Sequence, residues 1–226
     1  MIAISGVLLM AAAALAALRI PAAPGIAVSI AVGLLAMVAV HAHTTLRGKF
    51  AVWAGILSGL GLKGNERVLD LGCGRGAVLL AVAKLLPSGR AVGVDIWSTS
   101  DQSGNSAEAT ERNAKAEGVA DRVEVRSGDV RALPFPEASF DLVVSSMAIH
   151  NIRERDGRKS ALDEAIRVLQ EGGRLAIVDF MVVDEYVEHL RLRGMQDVEL
   201  RPLGWRFWYG GPWLGASLVR ATRPAL

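Results

Sequence analysis

VLDLGCGRG, residues 68–76, decides the fold. A short apolar run stops at an acid, Asp70, and then meets Gly72, Gly74 and Gly76, the pattern of a buried strand ending in a tight loop. Such a loop offers backbone to a ligand, and two ligand classes with opposite charge fit it. A pyrophosphate would be repelled by the Asp70 carboxylate, and GCGRG departs from the G-x-G-x-x-G spacing of dinucleotide sites. A cationic ligand suits the same carboxylate.

Strand and helix signals alternate on either side of this stretch. Lys49–Leu62 reads as an amphipathic helix approaching the core. Strands are expected at Arg67–Leu71, Ala91–Asp95, Val123–Arg126, Phe140–Ser145 and Leu175–Val178, and helices at Ala77–Leu86, Ala107–Glu117, Ser160–Gln170 and Glu185–Arg191. Gly172 and Gly173 read as the stop of the Ser160 helix. Asp197–Leu203 and Leu214–Thr222 are expected to pair as an antiparallel C-terminal edge. The alternation implies an α/β fold, a doubly wound, Rossmann-like, mostly parallel sheet with helices on both faces. Ligands bind outside the carboxyl ends of such strands, where the glycine loop sits. Asp95, at the next strand end, is placed to accept from ribose hydroxyls. A dinucleotide and S-adenosylmethionine both carry such a ribose, and the Asp70 carboxylate fits the second better because its ammonium and sulfonium are cationic.

The chain has 226 residues and a formal net charge of +2, room for one sizeable domain with accessory structure. No broad basic field is present, so nucleic acid is not an expected partner. The single cysteine, Cys73, excludes an internal disulfide framework. His41, His43, His150 and His189 are scattered, and no metal site is expected.

Apolarity is concentrated at the amino end, where Arg19 is the only charged side chain before Arg47. Ile2–Leu18 and Gly25–Val40 are two apolar runs separated by RIPAAP, which reads as a helical hairpin of two transmembrane helices. Residues 1–46 are thus expected to anchor the chain and 47–226 to form the catalytic domain. Arg47 and Lys49 outnumber Arg19, which puts that domain on the cytoplasmic side.

Taken in order, VLDLGCGRG, GVDIW, SGDVRALPF, FDLVVSSMAIHNI and RVLQEGGRLAIVDF resemble the motif series of class I S-adenosylmethionine-dependent methyltransferases, the small-molecule, ubiquinone-biosynthesis-like branch, over about Lys63–Phe180. The resemblance implies that Asp70, Gly72 and Gly74 line the methionine end of the cofactor, with Cys73 between the glycines. It implies Asp95, Ile96 and Trp97 at the ribose and adenine, Gly128, Asp129 and Val130 at the adenine edge, and Ser145 at the cofactor side of the fourth strand. Asp129 can accept from the exocyclic adenine amine. Each position also has a plainer reading: Gly76 as close helix packing, Arg75 as a solvated loop residue, Cys73 as small packing, and DQSGN (Asp101–Asn105) as a turn before a helix.

Methyl transfer asks for a nucleophile held in line with an activated carbon, and for a base only where the nucleophile arrives protonated. His150 is the candidate base, or else a structural or substrate-orienting ring; Asn151 can bind substrate or stabilise its turn. SSMA replaces the Asn/Asp-Pro-Pro-aromatic tetrad of many amino-methylating enzymes of nucleic acid and protein, which argues against those acceptors. Trp205–Trp213 (WRFWYGGPW) can form one side of a substrate pocket through Trp205 and Trp208, or pack as an edge hairpin. The expected function is membrane-anchored methylation of a small, lipophilic acceptor. The alternatives are a membrane-bound S-adenosylmethionine sensor without turnover and a dinucleotide oxidoreductase, the latter disfavoured by Asp70.

Overall fold

The computed structural model describes residues 24–98 and 104–225. The chain divides into two compact units: residues up to Lys49 with Gly204–Gly215, and Phe50–Leu203 with the chain from Ala216 onward.

In the first unit, α1 (Pro24–His43) opens on a proline, whose missing N–H is no loss in a first turn, and runs into a π-helical turn at Thr44–Gly48. This turn leads directly into α2 (Lys49–Gly59), so that Ser29–Gly59 is one continuous helix, long and apolar enough to cross a membrane by length and composition. Among the described residues it is one such helix, where two were expected. The expected run Ile2–Leu18 lies outside the described residues. No charged side chain interrupts Pro24–Leu46, and the apolar Ile30, Val32 and Leu35 remain exposed.

The second unit is a seven-stranded sheet in the order β3-β2-β1-β4-β5-β7-β6. Its strands are β1 (Arg67–Leu71), β2 (Arg90–Asp95), β3 (Val123–Ser127), β4 (Phe140–Ser146), β5 (Leu169–Asp179), β6 (Gln196–Pro202) and β7 (Ser217–Thr222). Strands β1 to β5 pair in parallel. β7 inserts antiparallel between β5 and β6, giving the antiparallel pairing expected at the carboxyl end of the chain. Helices α3 (Ala77–Ala83), α4 (Ala107–Ala116), α5 (Arg155–Val168) and α6 (Val183–Leu192) connect the strands. Val68, Leu69, Val92, Val94, Val143 and Ile177 are buried to near completion, as continuous apolar strands covered on both faces must be. On α2, Trp53, Ile56 and Leu57 bury one stripe at helical spacing, continued by Leu60 in the turn just past its end.

The carboxyl half of α5 departs from expectation. The helix ends at Val168 and the next strand starts at once, so Gly172 and Gly173 lie inside β5 rather than after the helix. Two facts decide this. Leu169 is fully buried opposite Phe140, and the pairing then skips from Leu169 to Arg174. The skipped residues form a bulge in which Gly172 takes a left-handed backbone (φ 70°) and exchanges hydrogen bonds with the terminal segment, Gly172 N to Arg223 O at 3.0 Å and Arg223 N to Gly173 O at 2.8 Å. The first turn of α5 was invisible to apolar periodicity because Arg155–Lys159 has no apolar side chain.

β1 leads outward to β2 and β3, and β4 leads the other way to β5. The crevice between the carboxyl ends of β1 and β4 is therefore the topological switch point, the place where such sheets bind ligands.

Candidate active site

The chain turns sharply at the end of β1. Gly72, Gly74 and Gly76 all take left-handed backbone, φ 68°, 51° and 89°. Gly72 and Cys73 donate their N–H groups to Val94 O (2.8 and 3.2 Å), which fastens the loop to β2. A Cβ on Gly72 would come within 2.3 Å of Ala148 Cβ, so the loops after β1 and β4 meet there at backbone distance. Gly76 packs Leu80 and Thr110 against its bare α-carbon, the close helix packing anticipated for it.

Asp95 reads this loop from the end of β2. Its Oδ2 accepts from Gly74 N (2.8 Å), and its Oδ1 from Trp97 N (2.6 Å) and Asn105 Nδ2 (3.2 Å). Thr110 Oγ1 donates to Gly74 O (2.6 Å). Asn105 and Thr110 were not singled out as loop supports. The Ser106 N-cap, which accepts from Ala109 N, is the local signal that starts the helix carrying Thr110.

Asp70 is 2% exposed, and its Oδ1 is buried with no hydrogen-bond partner. Burial first, then the negative charge of Asp95, pushes its carboxyl up to about 8. A buried carboxyl oxygen without a partner is costly, and a cation beside it would supply both hydrogen bond and charge. The ammonium and sulfonium of S-adenosylmethionine fit this demand; a pyrophosphate would worsen it. The Cys73 thiol is pushed up by burial and by both acids, which leaves it inert. Its sulfur lies where a side chain on Gly93 would need to be, which makes it a packing residue.

The remaining expected cofactor residues fall around the same strand ends. Ile96 is 65% exposed. Trp97 has φ 60° and is pinned by its indole N–H to Ser127 Oγ (2.7 Å). Gly128 N donates to Asp95 O (3.0 Å), and Val130 packs on the core. The Asp129 carboxylate is gripped by Arg131, with Nη2 at 2.6 Å and the backbone N–H at 2.9 Å, and this pairing holds it below the usual carboxylate range. Ser145 differs in role from its expectation: it is fully buried and donates to Leu71 O (2.9 Å), tying β1 to β4 rather than facing the crevice.

Beyond β4, Met147 adopts φ 57° and a 3₁₀ turn at Ile149–Asn151 presents His150. Its Nδ1 lies 2.5 Å from Asp179 Oδ1, at ion-pair distance but without the alignment of a hydrogen bond, and its own backbone N–H donates to Asp179 Oδ2 (3.1 Å). Asp179 is fully buried at the end of β5 and also accepts from Phe180 N (3.0 Å) and Tyr186 Oη (3.2 Å). Burial and Asp179 push the Tyr186 hydroxyl far above its ordinary value, so it serves as a fixed donor. The His150 side chain is 18% exposed with its ring 4.5 Å from that of Phe180, and Asn151 is exposed. Trp53 adds a second support that the sequence reading missed, donating its indole N–H to Ser146 Oγ (2.9 Å). Trp205 and Trp208 belong to the other compact unit, separate from the unit that holds His150 and Asn151.

Comparison with known proteins agrees with this geometry. A family model described as a methyltransferase domain matches residues 68–173. The 27-O-demethylrifamycin SV methyltransferase of Amycolatopsis mediterranei is 31% identical over 163 residues, covering 61% of this chain and 56% of that protein. The ubiquinone/menaquinone biosynthesis C-methyltransferase UbiE of Hahella chejuensis is 34% identical over 122 residues, covering 53% and 45%. The chain thus spans about half the length of the curated relatives it matches. Among solved structures, the geranyl diphosphate methyltransferase in complex with S-adenosylmethionine has a TM-score of 0.61 at 16% identity, over 77% of this chain and 85% of that one. The cyclase SpnF has a TM-score of 0.60 at 20% identity, over 73% and 78%. These likenesses show the fold. Residues 68–173 thus match a methyltransferase domain, and the acidic, glycine-lined crevice lies within that stretch.

Proposed function

We propose that the protein is a membrane-anchored methyltransferase that methylates a small, lipophilic acceptor at the cytoplasmic face of a membrane. The observation that carries the catalytic part is the His150–Asp179 contact at the end of β4, beside the loop that meets Gly72.

When bound, S-adenosylmethionine supplies a methyl group activated by its sulfonium. The chain's own work is to hold charge, orient and move a proton. Asp70 provides the negative charge for the methionine end, Asp95 the ribose acceptor, and Asp129, with Gly128 and Val130, the adenine edge. Asp179 beside His150 Nδ1 favours the tautomer with the proton on that nitrogen, leaving Nε2 to take a proton from the acceptor's hydroxyl or amine. The buried Tyr186 hydroxyl and two backbone N–H groups keep the Asp179 carboxylate from swinging away. Asn151, exposed next to the base, orients the acceptor.

The acceptor class rests on the small molecules in the names of the relatives, a demethylated rifamycin and the ubiquinone/menaquinone of a biosynthetic enzyme, and on the apolar helix. Arg47 and Lys49 after Pro24–His43, against Arg19 before it, favour the cytoplasmic side. The fold alone does not choose the reaction, since a cyclase shares it. Methyl-labelled S-adenosylmethionine incubated with the full chain and membrane extract should label an organic-soluble product. Label confined to protein or nucleic acid would reject the reading, and tight binding with no transfer across a broad acceptor panel would favour the sensor.

A further inference from the structure

We infer that the loop Gly204–Gly215 is a membrane-interface clamp, fastened to the carboxyl end of α1, which seats Trp205 and Trp213 at the lipid headgroup level. The inference rests on the proposed membrane anchoring and assigns to the lipid a segment that the sequence had offered to the substrate.

The fastening is extensive and stays within one compact unit. His41, Thr44 and Gly48 succeed one another at spacings of three and four, and each meets the loop. His41 packs edge-on to Tyr209 (5.7 Å between centroids). Thr44, fully buried, donates its hydroxyl to Trp208 O at 2.6 Å. Gly48 approaches the loop so closely that a Cβ would fall 2.0 Å from Arg206 O, so no other residue fits. His43 stacks on Trp205 at 4.8 Å. The loop is equally set within itself: Phe207 is fully buried, Trp208 bridges Gly215, and the Trp213 ring lies against the bare α-carbon of Gly211.

A loop built this firmly nevertheless leaves two tryptophans in the open, Trp205 at 50% and Trp213 at 67% exposure, with Leu46 at 71%. In water that exposure gains nothing. An indole has an apolar body and one N–H, and its preferred solvent is the boundary between hydrocarbon and headgroups. The position along α1 agrees. Twenty residues at about 1.5 Å each make a helix of about 30 Å, matching a hydrocarbon core of about 30 Å. If Pro24–His43 fills that core, the aromatic loop held by His41 to Gly48 falls at the boundary. Arg47 and Arg206, both exposed there, and the latter's guanidinium 5.3 Å from the Trp205 ring, supply the cations an anionic headgroup layer would take.

The test uses the full chain in phosphatidylcholine–phosphatidylglycerol vesicles carrying bromine either near the headgroup or near the chain end. Tryptophan emission should be quenched more by shallow than by deep bromine, and the exposed-surface variant Trp205→Phe/Trp213→Phe should lose most of that shallow quenching. In parallel, Leu35→Cys in the middle of α1 should resist an aqueous maleimide. A protected Leu35→Cys with shallow quenching unchanged in the double variant would overturn the clamp alone. A readily labelled Leu35→Cys would overturn the spanning reading and the clamp with it.

Discussion

Cofactor affinity should depend on pH through Asp70, in a way that separates the protein's proton from the ligand's. The free protein holds this carboxyl at about 8, so near neutrality it is mostly protonated. Binding an ammonium or sulfonium beside the unpartnered oxygen favours the carboxylate and expels that proton. Affinity for S-adenosylmethionine should therefore fall about tenfold for each pH unit below about 8, or roughly 1.4 kcal/mol per unit. Above about 8 the ligand's own α-amine loses its charge, so affinity should decline again. Titration calorimetry in buffers of different ionisation enthalpy should find close to one proton released per cofactor at pH 6–7 and the affinity maximum near pH 8. Asp70→Asn should erase the acid limb and keep the alkaline one, with weaker binding at the optimum. The same residue acts on stability with the opposite benefit. Its folded value lies above the ordinary aspartate value of 3.8, so the native state retains a proton that the unfolded chain has released. Stability without cofactor should then fall as pH rises from about 4 to about 8, and Asp70→Asn should relieve at most about 4 kcal/mol of this at pH 7. A wild-type affinity that is flat from pH 6 to 8, with no proton released, would refute the role given to the buried carboxyl.

Three further outcomes follow from the geometry. His150→Ala should lower kcat by about 10²–10⁴-fold with cofactor affinity unchanged, and Asp179→Asn should lower it less while moving the pH–rate profile, which calorimetry and steady-state rates together would show. Gly72→Ala forces a side chain onto left-handed backbone 2.3 Å from Ala148 Cβ and should cost about 2–3 kcal/mol or more in denaturant unfolding, with Ala148→Gly recovering the part due to the clash. Calorimetry with S-adenosylhomocysteine should give a saturable heat and NAD none, because the same carboxyl meets a cation in one case and a pyrophosphate in the other.

Much of the second unit is written locally. The β1 strand has the bounds its apolar run suggests, β2 and β4 each gain one residue, and Asp70, Gly72, Gly74 and Asp95 converge because strand ends and glycine turns are short-range features. The Leu169–Asp179 strand was misread because Leu169 continues the helical period of Leu162 and Ala165, and only its pairing with Phe140 claims it for the sheet. Asp179 was missed as the partner of His150 for a similar reason. The two are 29 residues apart, and nothing in SSMAIHN announces a carboxylate on the neighbouring strand end. Ser145 shows the converse: a hydroxyl beside the crevice in sequence was spent on the Leu71 carbonyl.

The residues by themselves determined a mostly parallel α/β sheet, a glycine loop under an acidic strand end, and a preference for a cationic ligand, since backbone turns and carboxylate charge need no distant partner to be read. Tertiary structure alone decided which groups lack a partner or gain one. Sheet register set Asp179 against His150, burial left one Asp70 oxygen unpaired, and side-chain packing joined Trp205–Leu214 to a helix more than 150 positions earlier. Hydrogen-bond satisfaction and desolvation are properties of the whole packed chain, and no stretch of sequence contains them.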